Sequence, residues 1–186
     1  MPLKMAFVIS ETLPKDIPTD ISNWITEGWK GDKNEANNIL RHLSAMKKAY
    51  NPRYNYAVIS EQGLVMHKDF NKMISEVISK LPINFDICFL THYVLNWEGC
   101  RYVSDDKSLC SFGSQVFFLD AYLIRMSYIE HILSIYDRPF RNITKINLTL
   151  GGIIHQRACM VYKPLFANLK SPEQSKYYIE GYGFEI

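Results

Sequence analysis

Residues 34–90 read NEANNILRHLSAMKKAYNPRYNYAVISEQGLVMHKDFNKMISEVISKLPINFDICFL. Two helical and two extended patterns alternate in this stretch, and that alternation decides the fold. Ile39, Leu40, Leu43, Met46 and Ala49 recur at spacings of three and four, which places them on one stripe of a helix over residues 34–50. Asn51-Pro52 stops it, because proline lacks the amide hydrogen a helix needs and disfavours helical backbone at the residue before it. Residues 54–60 read as a strand, and Glu61-Gln62-Gly63 turns the chain out of it. Phe70, Met73, Ile74, Val77, Ile78 and Leu81 form the apolar face of a second helix, with Asp69 as its N-cap and Pro82 at its end. The run FDICFL at 85–90 is continuously apolar apart from one Asp, as in a strand covered on both faces.

Working outward, residues 5–10 (MAFVIS) read as a first buried strand, and 17–33 as irregular or partly helical. Strand, helix, strand, helix, strand with short connections predicts an α/β domain, with a mostly parallel, Rossmann-like sheet flanked by helices. Residues 92–112 read as a surface loop holding Trp97, Glu98, Asp105 and Asp106. A strand over 116–119, a helix over 120–135 with Asp120 as its N-cap, and a last strand within 153–162 complete the set, before a polar, Tyr-rich tail from Ser171. No repeat, linker or low-complexity stretch divides the chain, so 1–186 is read as a single domain.

Composition narrows the function classes. With 186 residues, 22% of them charged and a net charge of +2, neither nucleic acid nor an anionic membrane is the expected main partner. The N-terminal apolar run is too short for a signal peptide, and no segment reaches the length of a membrane span, so the expected location is cytoplasmic or otherwise intracellular and soluble. Cys88, Cys100, Cys110 and Cys159 form no CxxC pair, which argues against structural zinc, and Cys88 in its apolar run reads as a buried free thiol.

An ordered set of five segments resembles the family 25 glycosyltransferases, the group containing lipooligosaccharide sugar transferases and collagen galactosyltransferases. Residues 35–49 (EANNILRHLSAMKKA) are similar to the family's helix before its acidic strand, with Arg41-His42 where the family has Ser-His. VISEQGLVMHKDF at 58–70 parallels the acidic turn and the Asp-Phe helix start that follows it. Ala121-Tyr122-Leu123-Ile124 resembles an Ala-Tyr-Leu-Ile stretch near the sugar site. Residues 138–148 (RPFRNITKINL) resemble a proline step where the family carries a further Asp, replaced here by the surroundings of Thr144, Lys145 and Asn147. Residues 163–175 resemble its closing segment.

The resemblance implies a GT-A-like fold in which the acidic strand ends in Glu-Asp-Asp, holding a divalent cation such as manganese and the nucleotide-sugar. Carboxylates there bridge through the cation to the diphosphate and offset charge on the leaving group. The degenerate motif here is Glu61-Gln62-Gly63: glutamine keeps one weak carbonyl ligand, glycine keeps none, and no metal ligands are assigned. The cofactor therefore stays open, with manganese the ion to test.

The residues implied at the donor are Glu61, Gln62, Gly63, His42 and Tyr122; Glu98, Asp105, Asp106 and Asp120 are all available as the acceptor base, and Asp120, beside the Ala-Tyr segment, is the catalytic candidate. Each has a plainer role: Glu61 as a solvated carboxylate, His42 as a packing residue, Asp120 as a cap, and Asp105-Asp106 as a solvated pair rather than a displaced metal site. His67 and Lys68, ahead of the second helix, are expected to face water.

Two functional readings stay open beside that of an unrelated α/β domain. One is a hexosyltransferase using a nucleotide-sugar and a glycan or protein hydroxyl acceptor, with basic side chains such as Arg141, Lys145 and Arg157 in place of the metal. The other is an inactive homologue that serves as a binding or scaffold protein. The chain's length leaves little room for the extra segments often found in the family, so an acceptor subdomain is expected to be either missing or supplied by a protein partner.

Overall fold

The computed structural model describes residues 3–8, 33–61, 63–91, 101–111, 120–136, 158–161 and 165–168. In chain order the elements are β1 (Leu3–Val8), α1 (Lys33–Ala49), β2 (Tyr56–Glu61), β3 (Leu64–Met66), α2 (Phe70–Lys80), β4 (Ile87–Phe89), β5 (Arg101–Tyr102), β6 (Leu109–Ser111), β7 (Ala121–Arg125), α3 (Met126–Tyr136), β8 (Ala158–Val161) and β9 (Phe166–Asn168). They fall into two compact units, Met1–Gln62 with Ile124–Ile154, and Gly63–Leu123 with His155–Ile186. The expected strand at 116–119, Trp97, Glu98, the tail and residues 138–148 lie outside the described residues.

In the first unit β1 and β2 are parallel, in register from Leu3 opposite Tyr56 to Val8 opposite Glu61. Residues 56–60 of β2 are all buried, as a strand covered on both faces requires. Helix α1 packs on β1, β2 and α3. Leu43, Met46 and Ala49 of the expected stripe are buried, while Lys47 and Lys48 are exposed in the last turn, where cations favour the negative end of the helix dipole. The helix gives way to a turn that Asn51 closes twice: its Oδ1 accepts the Arg53 N–H at 3.0 Å, and its carbonyl accepts that of Tyr54 at 3.0 Å.

The first turn and a half of the helix expected over 120–135 is instead strand β7, and α3 begins at Met126. Ala121, Tyr122, Leu123 and Ile124 are all 0% exposed. A run buried on every side shows no periodicity, so its pattern cannot separate strand from buried helix. Asp120 therefore precedes a strand and does not cap a helix. From Met126 onward the helical spacing returns, with Met126, Ile129 and Ile132 buried.

In the second unit β4 and β8 are parallel, with Cys88 opposite Cys159, whereas β6 runs antiparallel to β8 and to β5, giving the order β4-β8-β6-β5. Strands β3 and β9 form a separate antiparallel pair. The architecture is mixed α/β, and the mostly parallel sheet expected from the sequence is corrected on this point. Only residues 103–108 connect β5 to β6, too few for the crossover that parallel neighbours need.

Helix α2 buries Phe70, Ile74 and Val77, three of its six expected apolar positions. Asp69 precedes it but makes no side-chain cap. Its neighbour organises the start: the His67 Nδ1 accepts the Asp69 N–H at 3.0 Å, and the His67 carbonyl accepts the Phe70 N–H at 3.0 Å. His67 is buried, contrary to its expected exposure, because its own N–H donates to the Leu165 carbonyl at 2.9 Å and ties the helix start to the residue before β9. Cys88, Cys110 and Cys159 are buried free thiols, and burial pushes the Cys88 thiol well up from its ordinary value, with Cys159 beside it adding to the effect. Among the described residues, no helix is long and apolar enough to cross a membrane.

Candidate functional site

Strand β2 emerges from the core at its last residue. Ser60 is buried, and Glu61 is 32% exposed. In a parallel pair the carboxyl ends of the strands face the crevice where ligands bind in α/β proteins, and Val8 of β1 ends beside Glu61. Behind Glu61, on α1, lies His42, whose side chain is 0% exposed. Its Nε2 stands 3.6 Å from the Glu61 Oε1, an ion pair when the imidazole is protonated. Two of the residues implied by the family resemblance, 19 positions apart in the chain, are thus brought together by the packing of that helix on that strand.

Gly63 has φ 88°, in the left-handed region where a Cβ is strained. Its lack of a side chain therefore has a backbone reason, independent of any ligand. Gln62 lies outside the described residues. Tyr122 is fully buried in β7, and Asp120, half-buried, sits one residue before that strand.

A divalent cation of the kind the resemblance implies does not fit this end of β2. Glu61 supplies one carboxylate, already facing His42, and Gly63 supplies no side chain. Among the described residues no three His, Cys, Asp or Glu side chains could hold a single ion. A lone half-exposed carboxylate backed by a buried imidazole can instead accept hydrogen bonds from hydroxyl groups, such as a ribose diol or a sugar ring.

Asp106 has a different task. The Lys80 ammonium reaches its Oδ2 at 2.5 Å, while the Ser108 hydroxyl and amide donate to its Oδ1 at 2.6 and 3.1 Å. Lys80 first, and Ser108 and Ser104 after it, hold the carboxyl far below the usual carboxylate range. The same ion pair raises Lys80. A depressed acid contributes stability above its unfolded value and loses it as pH falls through the folded one, whereas a raised amine contributes below its unfolded value. The pair therefore stabilises across the neutral range and fades at both extremes. Both side chains are substantially exposed, so Asp106→Asn is expected to lower Tm by about 2 °C or less at low salt, and the difference should shrink in 1 M NaCl. A salt-independent loss measured by thermal melts would show that the turn hydrogen bonds, not the ion pair, carry the effect.

The sequence reading missed one cluster. Tyr50, Tyr54, Asn55 and Tyr56 meet Arg125 and Glu130 around a cleft of about 460 Å³ in the first unit. The signal was the Tyr-Asn alternation at 50–56, read only as a helix stop and a strand start.

No protein-family model matches the chain, and no curated protein matches it. Among solved structures it is similar to the crystal structure of A197 from STIV, with a TM-score of 0.43 and 11% sequence identity, covering 90% of this chain and 84% of that one.

Proposed function

We propose that the chain is a GT-A-like, family 25-like protein that binds a nucleotide-sugar at the end of β2 and does so without a bound metal. The observation that carries the reading is Glu61: a half-exposed carboxylate at the carboxyl end of a strand in a parallel pair, with buried His42 3.6 Å behind it. Glu61 accepts hydrogen bonds from donor hydroxyls, and His42 holds the carboxylate in place. Charge developing on a nucleoside diphosphate leaving group needs a positive partner, and Arg141, Lys145 and Arg157 are the candidates, all outside the described residues. In transfer to an acceptor hydroxyl, that oxygen bonds to the anomeric carbon as the bond to the diphosphate breaks. Asp120 is the candidate base for the hydroxyl proton.

The second reading is a homologue that binds without turnover. It is favoured by the motif itself, since Gln62 and Gly63 stand where the family has acids and Gly63 is held at φ 88°. Calorimetric titration with a panel of nucleoside diphosphates and their sugars, with and without manganese, tests both. Saturable binding of one nucleotide-sugar that manganese leaves unchanged is expected. Release of free nucleoside diphosphate in the presence of a glycan acceptor then separates enzyme from binder. Absence of binding to every nucleotide in the panel would overturn the proposal in either form.

A further inference from the structure

At the opposite end of β2 from Glu61, the first unit carries the cleft lined by Tyr50, Tyr54, Asn55, Tyr56, Arg125 and Glu130. Tyr56 opens the strand and Glu61 closes it, so the two lie about 16 Å apart along it. The cleft is built from three pieces of chain held in fixed relation. The Asn51 turn sets Tyr54, and the Met126 N–H donates to the Asn55 carbonyl at 2.9 Å, joining the start of α3 to the residue before β2. The Asn51 N–H lies 3.4 Å from the Met126 sulfur, which ties the end of α1 to the same point.

The side chains facing this cleft are also oriented. The Arg125 guanidinium lies 5.9 Å from the centroid of the Tyr56 ring. Tyr50 and Glu130 line the cleft together; burial, then the Glu130 carboxylate, push the Tyr50 phenol up from its ordinary value. One cation and one carboxylate leave the lining without net charge, which suits neither a phosphate nor a polycation. Planar hydrogen-bonding groups (guanidinium, carboxylate and the Asn55 amide) beside tyrosine rings match a pyranose. Its adjacent hydroxyls pair with planar bidentate groups, and its C–H face stacks on an aromatic ring. The volume of about 460 Å³ lies in the lower half of the usual range for small-ligand sites, about 300–1,000 Å³.

We infer that this cleft is a binding site for a neutral saccharide of one or two hexose units, separate from the carboxylate at the far end of β2. The inference stands whether or not a nucleotide-sugar binds at Glu61. Its test is saturation-transfer NMR and calorimetry of the full chain with glucose, galactose, mannose, N-acetylglucosamine and their β-linked disaccharides. At least one is expected to bind saturably, with Arg125→Ala and Glu130→Gln each weakening it by about tenfold or more. Glu130 is exposed on α3, so its variant keeps the test open should Arg125→Ala fail to fold. Binding that survives both substitutions, or that is lost on Glu61→Gln instead, overturns the inference, as does the absence of binding to any of these sugars. Preferential binding of uridine or adenosine to the same residues overturns it too, assigning the cleft to a nucleoside. Saccharide binding without any nucleotide binding would uphold this site while removing the donor site proposed at Glu61.

Discussion

Glu61→Gln is expected to weaken nucleotide-sugar binding by about 10- to 100-fold while leaving the fold intact. The substitution preserves shape and removes charge, so it isolates what the carboxylate contributes. Hydrogen bonds to a charged group are worth about 1.5–3 kcal/mol each, and every 1.4 kcal/mol is about tenfold in Kd. Glu61 is 32% exposed and lies at a strand end, so no large stability change follows from the swap. His42→Gln provides the companion measurement. If His42 acts by holding the carboxylate, its loss should weaken binding in the native protein but add little once Glu61 is already glutamine. Calorimetric titration of the two single variants and the double variant reads this directly. Unchanged affinity in Glu61→Gln would reduce Glu61 to a solvated carboxylate.

The second large effect concerns stability. Phe70 is 2% exposed, opens α2, and meets Phe166 of β9 edge-on, with ring centroids 5.2 Å apart at 63°. Its neighbours are held by backbone bonds that leave little room to collapse: His67 is joined to Leu165 at 2.9 Å, and Leu165 donates to the Leu90 carbonyl at 2.8 Å. Phe70→Ala should therefore leave most of its cavity open and cost about 3–5 kcal/mol. That is a large share of the 5–15 kcal/mol typical of a folded domain. Phe70→Leu, which refills part of the space, should cost distinctly less. Urea unfolding of the three proteins measures the difference through the midpoint at constant slope. A loss below about 1 kcal/mol for Phe70→Ala would mean that α2 does not depend on its contact with β9.

Amphipathic elements were legible in the sequence. The stripes of α1 and α2 each separate a buried face from a wet one, and that asymmetry writes itself into a spacing of three and four. Strand β2 and the run at 85–90 were legible as apolar segments bounded by Pro and by turn residues, and both proved buried. The lone carboxylate of the Glu61-Gln62-Gly63 turn is likewise visible as composition.

Other features depended on partners distant in the chain. Strand β7 is not legible as a strand because four fully buried residues carry no period, and only neighbours supplied from elsewhere decide its backbone. The directions of β6 and β8 follow from which strands they sit beside, and a strand's own residues do not encode that choice. His67 looked solvent-facing because the residue that buries it, Leu165, lies almost a hundred positions away. The pairing of His42 with Glu61 and the gathering of three tyrosines around Arg125 have the same origin. Local sequence determines which residues must leave water; the tertiary structure decides whom they meet when they do.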